Sequence, residues 1–97
     1  MVEIVETHEF ARWIDNLRDR IARVRIQARI DRLIQGLAGD VKAVGEGVSE
    51  MKIDYGPGYR VYFIQQGNVL IVLLAGGDKD TQSDDIKAAM KLARELK

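Results

Sequence analysis

Two groups of side chains in this sequence have the types and spacing for chemistry on an anion. The first is Lys52, Asp54, Arg60 and Tyr62, which flank the bend Gly56-Pro57-Gly58. Pro57 suits the first central position of a type I turn and Gly58 the left-handed position that follows in a three-residue loop, so the segment reads as a hairpin. The bend sets Asp54 opposite Arg60, Ile53 opposite Val61, Lys52 opposite Tyr62 and Met51 opposite Phe63. Cross-strand partners share a face, so the apolar members gather on one side and Lys52, Asp54, Arg60 and Tyr62 on the other. Two cations beside a phenol and a carboxylate can hold a phosphate and stabilise charge that develops on it. The same four residues also make two ordinary cross-strand contacts, Asp54 with Arg60 and Lys52 over Tyr62, worth under about 1 kcal/mol at a surface.

The second group is a ladder of arginines. Seven fall between residues 12 and 32 against three aspartates, a local excess of four positive charges inside a chain of zero net charge. Arg25, Arg29 and Arg32 lie within about 60° of one another on a helix, along one edge. Such an edge attracts a polyanion or an acidic partner, or is simply a solvated helix face.

Other chemistries find little support. The chain has no cysteine and one histidine, so a disulfide, a thiol nucleophile and a histidine cage are excluded. There is no phosphate-loop motif. Asp78-Lys79-Asp80-Thr81-Gln82-Ser83-Asp84 faintly follows a calcium loop, but Ser83 stands at the glycine position and Ala89 at the final glutamate, so no metal site is expected. His8 reads as a surface or capping residue. The first six residues carry acids and no basic region, and no apolar run is long enough to span a bilayer; a cytoplasmic protein without membrane contact is expected.

Several elements must position these groups. At 97 residues the chain is expected to be one domain, residues 1–97, with any site an open surface groove. Val2 to Val5 reads as a short strand. Thr7 caps a first helix over residues 8 to 18, with Phe10, Trp13, Ile14 and Leu17 inward. A second helix over residues 20 to 35 carries Ala22, Ile26, Ile30, Leu33 and Ile34 on one face and Ile21, Val24 and Ala28 on another, and both strips are expected to be covered. Gly36 and Gly39 end it. Strands follow at 41 to 45, 48 to 54, 59 to 66 and 69 to 75, an antiparallel meander whose last member, apolar on both faces, sits centrally. Ser83 caps a final helix with Ile86, Ala89, Met90 and Ala93 inward. The fold class is α+β, in the order β-α-α-β-β-β-β-α.

The succession Leu17-Arg18-Asp19-Arg20-Ile21-Ala22, Gly39-Asp40-Val41-Lys42, Val44-Gly45-Glu46-Gly47-Val48, the stretch from Ile53 to Phe63, and Gly76-Gly77-Asp78-Lys79-Asp80-Thr81-Gln82 resembles the phage-derived, HigB-type killer proteins of addiction modules, in the RelE/ParE toxin superfamily. The resemblance runs through nearly the whole chain. It implies a helical hairpin and a C-terminal helix around a small, mainly antiparallel sheet. It also implies a toxin of a type II toxin-antitoxin module, a metal-independent endoribonuclease that cleaves mRNA at the ribosome without a cofactor. A cognate helix-turn-helix antitoxin would silence it. By matching positions, Arg60 becomes the principal phosphate clamp, Lys52 a second cation or proton-transfer group, Lys79 a cation at the rim, and Tyr62 a stacking or proton-transfer group. Arg25, Arg29 and Arg32 become an RNA, ribosome or antitoxin surface. Arg60→Ala is expected to abolish growth arrest with the fold intact. Residues 80 to 97 hold neither tyrosine nor histidine, where several relatives place a catalytic one, so the proton-transfer partner stays open. Two other readings are a topoisomerase poison of the ParE kind and a decayed toxin that only binds its antitoxin.

Overall fold

A computed structural model describes residues 2–96; Met1 and Lys97, the ends of the expected domain, lie outside the described residues. The elements are β1 (Glu3–Glu6), α1 (His8–Asn16), α2 (Arg20–Ile34), β2 (Val41–Gly45), β3 (Val48–Ile53), β4 (Tyr59–Gln66), β5 (Leu70–Gly77), a single 3₁₀ turn (Lys79–Thr81) and α3 (Gln82–Glu95). This is an α+β fold with a five-stranded mixed sheet in the order β1-β5-β4-β3-β2. The meander β2 to β5 is antiparallel as expected, and β1 adds in parallel on the far side of β5. β5 is therefore interior, which explains its nearly unbroken apolar run.

Helices cover both faces. Beneath α1 and α2 lie Met51, Ile53, Tyr59, Val61, Phe63, Ile71 and Leu73, packed on Phe10, Ala22, Ile26, Ile30 and Leu33. Beneath α3 lie Val48, Tyr62, Val72, Leu74 and Ala75, packed on Ala89 and Ala93. The register between β4 and β5 slips after Tyr62, leaving Leu74 as an extra residue between Leu73 and Ala75. That bulge turns Leu74 and Ala75 to the same side, both into the α3 core. Thr7 fixes α1 beside it: its hydroxyl accepts from the Phe10 amide as N-cap and donates to the Leu74 carbonyl at 2.6 Å.

Gly76 and Gly77 serve opposite faces. The Trp13 ring occupies the space a Cβ at Gly76 would need, and Asp85 with Thr81 occupies that at Gly77. Trp13 thereby closes the α1 side against Tyr59, edge to ring at 6.3 Å between centroids.

Four expectations are corrected. The bend is wider than a three-residue loop: Gly58 donates to the Tyr55 carbonyl at 3.2 Å, and Gly56, at φ +57, takes the first central place that Pro57 was expected to hold. The pairing moves accordingly, to Lys52 opposite Arg60 and Glu50 opposite Tyr62. A shift of two residues preserves sidedness, so the polar residues keep a common face. Ser83 is not the cap; α3 begins at Gln82, one residue after a 3₁₀ turn whose N-cap Asp78 accepts from the Asp80 and Thr81 amides. Finally, the strip Ile21, Val24, Ala28 finds no cover and faces solvent.

Candidate functional site

The polar residues of the β3–β4 hairpin do not stand equally free. From the open end inward, the Lys52 side chain is 43% exposed, Arg60 9% and Glu50 3%, while Tyr62 is wholly buried. The N-terminal part of α3 causes this gradient, because it crosses the sheet over Glu50 and Tyr62 and leaves the hairpin end uncovered. Gln82, its first residue, donates to Glu50 Oε2 at 2.9 Å.

Arg60 is held from two sides. Its Nη1 donates to the Gly58 carbonyl at 2.7 Å, and its Nε lies 3.7 Å from Glu50 Oε1, an ion pair without a hydrogen bond. Glu50 also pairs with Lys42 at 3.7 Å. Sequence reasoning missed Glu50, although it lies on the polar face of β3 two residues before Lys52; the misplaced register paired Tyr62 with Lys52 instead. Because Arg60 is one of the two cations paired with the buried Glu50 carboxylate, Arg60→Ala should cost stability as well as activity, leaving Glu50 only Lys42 and the Gln82 hydrogen bond.

Tyr62 is set apart from the other three by its burial. With no exposed edge it has no surface for a base to stack on, and its hydroxyl makes no hydrogen bond. Burial, and then the neighbouring Glu50 charge, push its phenol far above the usual 10. Its place is inside the α3 core.

The other expected residues do converge. Lys52, Arg60 and Lys79 line one groove with the hairpin loop 54–58, a space of about 390 Å³. A Cβ on Gly58 would lie 3.3 Å from Arg60 Nη1 and 3.7 Å from Lys79 Cβ, so the glycine leaves the two cations room on either side of it. Lys79 reaches the rim because its amide is tied to the Pro57 carbonyl at 3.4 Å. Asp54 pairs with Lys52 at 3.5 Å rather than with Arg60. A smaller groove adjoins, sharing Lys52 and Arg60 and adding Asp40, Lys42 and Glu50.

On the other side of Asp54 a third groove, of about 270 Å³, is lined by Arg25, Arg29 and Arg32 with Ala28 and Ile53. The ladder is thus contiguous with the Lys52 groove, a juxtaposition no local pattern revealed. Its members differ in use. Arg29 donates to the Lys52 carbonyl at 2.7 Å and to the Ala38 carbonyl at 3.1 Å, tying α2 to β3, and Gly39 at φ +70 leaves space for its guanidinium. Arg25 lies over the Tyr55 ring at 4.9 Å. Tyr55 donates to Asp19 Oδ2 at 2.9 Å, and Asp19 also accepts from the Ile21 and Ala22 amides as N-cap of α2. The Ala22 amide first, then Tyr55, hold the Asp19 carboxyl below its ordinary value, and the hydrogen bond to Asp19 raises the Tyr55 phenol. Arg32 is exposed.

Chemically, the two grooves meet at Asp54 and bring hydrogen-bonded guanidinium groups, Arg29 and Arg60, near the more exposed Arg25, Arg32, Lys52 and Lys79, a set of cations suited to a polyanion. Among the described residues no cluster of three or more histidines and acids is placed to hold a metal ion, and no helix is long and apolar enough to cross a membrane.

No protein-family model matches the chain. Over 95 residues, covering 98% of this chain and 96% of the other, it is 48% identical to an uncharacterized protein of Haemophilus influenzae. Identity of that extent, spanning every element that builds the grooves, is shared ancestry: the chain belongs to the family of that Haemophilus protein.

Proposed function

We propose that this protein is the toxin of a type II toxin-antitoxin module, a HigB-type member of the RelE/ParE superfamily that cleaves mRNA on the ribosome. The carrying observation is the convergence of Lys52, Arg60 and Lys79 on one groove beside the hairpin loop. The order β-α-α-β-β-β-β-α and the motif blocks from Ile53 to Phe63 and Gly76 to Gln82 support the assignment.

In cleavage of this kind the ribose 2′-hydroxyl attacks the adjacent phosphate, so the RNA brings its own nucleophile. The protein must stabilise the extra charge on phosphorus and move two protons. Arg60, immobilised by Gly58 and Glu50, is the preorganised charge. Lys52 is the accessible cation, able to approach the phosphate or transfer a proton. Lys79 meets the strand at the rim, and Arg25 with Arg32 extends the path of the phosphates. The helix-turn-helix antitoxin would silence the toxin by binding it.

The burial of Tyr62 favours a second reading, a decayed toxin that only binds its antitoxin, since it removes one of the two proton-transfer candidates from the groove. Purified protein added to a translating extract, followed by mapping of RNA 5′ ends, separates the readings. Cleavage should fall about 10²-fold in Lys52→Ala and clearly in Lys79→Ala, both surface changes. Intact mRNA in the parent would leave only binding, and loss of gyrase-dependent supercoiling with intact mRNA would indicate a topoisomerase poison.

A further inference from the structure

One carboxylate stands among the cations of the Lys52 groove. Among the described residues that line it, Asp54 is the sole acid and Tyr55 the sole hydroxyl. The other side-chain oxygens nearby are committed. Tyr55 donates its proton to Asp19 Oδ2, and that bond raises its phenol, which keeps it protonated. Glu50, in the adjoining groove, is 3% exposed, with Oε2 taken by Gln82 and Oε1 shared between Lys42 and Arg60. Asp78 accepts from the Asp80 and Thr81 amides as a cap. Asp54 is open: its side chain is 83% exposed, and its Oδ1 lies 3.5 Å from Lys52 Nζ, loose for a hydrogen bond.

A carboxylate at this point weakens the hold on a polyanion. Asp54 lines both the Lys52 groove and the arginine groove, so a phosphate chain crossing from one to the other meets a like charge. As a surface ion pair with Lys52 it contributes little to stability. Proton transfer gives it a use. A ribose carries its 2′-hydroxyl next to its own 3′-phosphate, so the group that takes the hydroxyl proton must stand beside the cation that holds that phosphate. Displacement in line also needs a proton donor on the far side of phosphorus. Arg60 on β4 has Lys52 of β3 as one cross-strand neighbour and Gly77 of β5 as the other. Asp54 lies two residues beyond the first and Lys79 two beyond the second, on strands about 10 Å apart. A phosphate on Arg60 is thereby flanked by an acceptor and a donor from opposite sides.

We infer that Asp54 is the catalytic base, an assignment that rests on the RNA-cleavage reading above. Asp54 accepts the 2′-hydroxyl proton as the 2′-oxygen bonds to phosphorus. The bond from phosphorus to the 5′-oxygen breaks with its electron pair on that oxygen, which takes a proton from Lys79. The products are a 2′,3′-cyclic phosphate and a 5′-hydroxyl, and Asp54 returns its proton to Lys79 through water.

Purified ribosomes programmed with a defined mRNA, mixed with excess protein, separate the maximal rate of single-turnover cleavage from the half-saturating concentration. Asp54→Asn should lower the maximal rate at least about 10²-fold. Its half-saturating concentration should stay level or fall, since a repelling charge is gone. Asp54→Glu should retain more activity than Asp54→Asn, and formate should restore part of the rate to Asp54→Ala at constant ionic strength. Asp80→Asn, which removes an exposed acid outside the groove, should leave the rate unchanged. Cleavage by Asp54→Asn at or above the parent rate would overturn the inference, because a carboxylate that only pairs with Lys52 predicts that result. So would a loss confined to half-saturation, or an equal loss in Asp54→Glu without rescue by formate. Parent protein that leaves the mRNA whole would instead remove the cleavage reading, and this inference with it.

Discussion

The two faces of the sheet are built from the same strands by the same alternation, yet they do different work. Under α1 and α2 the cross-strand partners are apolar almost throughout, and the face is closed. Under α3 the face holds Glu50, Arg60 and Tyr62 beside Val48 and Leu74, and α3 stops short of Lys52. Where a helix covers polar residues completely they become structure, and where it stops they become available to a ligand. One strand pair thus carries a core and a site, separated by the pleat and by where α3 begins.

The comparison can be broken by measurement. The largest effect is expected on the closed face: Phe63→Ala should cost about 4 kcal/mol in urea unfolding, through lost transfer energy and the cavity left behind. On the α3 face, Glu50→Ala should cost about 3 kcal/mol by leaving Arg60 nearly buried and unpaired. Replacing both, Glu50→Leu with Arg60→Met, should recover much of that loss, which a double-mutant cycle would read. If Glu50→Ala is neutral, the α3 face holds no buried charge pair and the two faces differ less than the geometry indicates.

The smallest effect sharpens the contrast through pH. Burial, only partly offset by the Thr81 hydrogen bond, raises the Asp85 carboxyl above its ordinary 3.8 on the α3 side. Its contribution is therefore fully present below 3.8 and is lost as pH rises through the higher folded value. Asp19, on the α2 side, is lowered; its contribution is present above 3.8 and is lost as pH falls through the lower folded value. At neutral pH, Asp85→Asn should thus unfold at a higher temperature than the parent and Asp19→Asn at a lower one. Both differences should shrink on acidification through the carboxylate range, followed by circular dichroism.

Local signals made the element order legible: the Thr7 cap, the helical spacing of Phe10, Trp13, Ile14 and Leu17, and the apolar run of β5. Sidedness in the hairpin was legible too, because an error of two residues leaves parity intact. Register itself was not, since it depended on how many residues the Gly56-Pro57-Gly58 bend consumes. With the register went Glu50, whose partners Arg60, Lys42 and Gln82 come from three other elements. Burial of Tyr62 and Arg60 was equally hidden, because it depends on the line along which α3 crosses the sheet. The exposed stripe on α2 escaped for the opposite reason, since periodicity marks an apolar face without saying what meets it.

The pairing of β1 with β5 has a consequence for synthesis. Glu3 lies beside Leu70 and Glu6 beside Leu73, so β1 has no partner until β5, more than 60 residues further along, has been made. Such distant contacts form slowly and late. A chain without β5 and the 3₁₀ turn therefore lacks both the partner of β1 and Lys79 at the groove, so one segment completes the sheet and the cationic groove together.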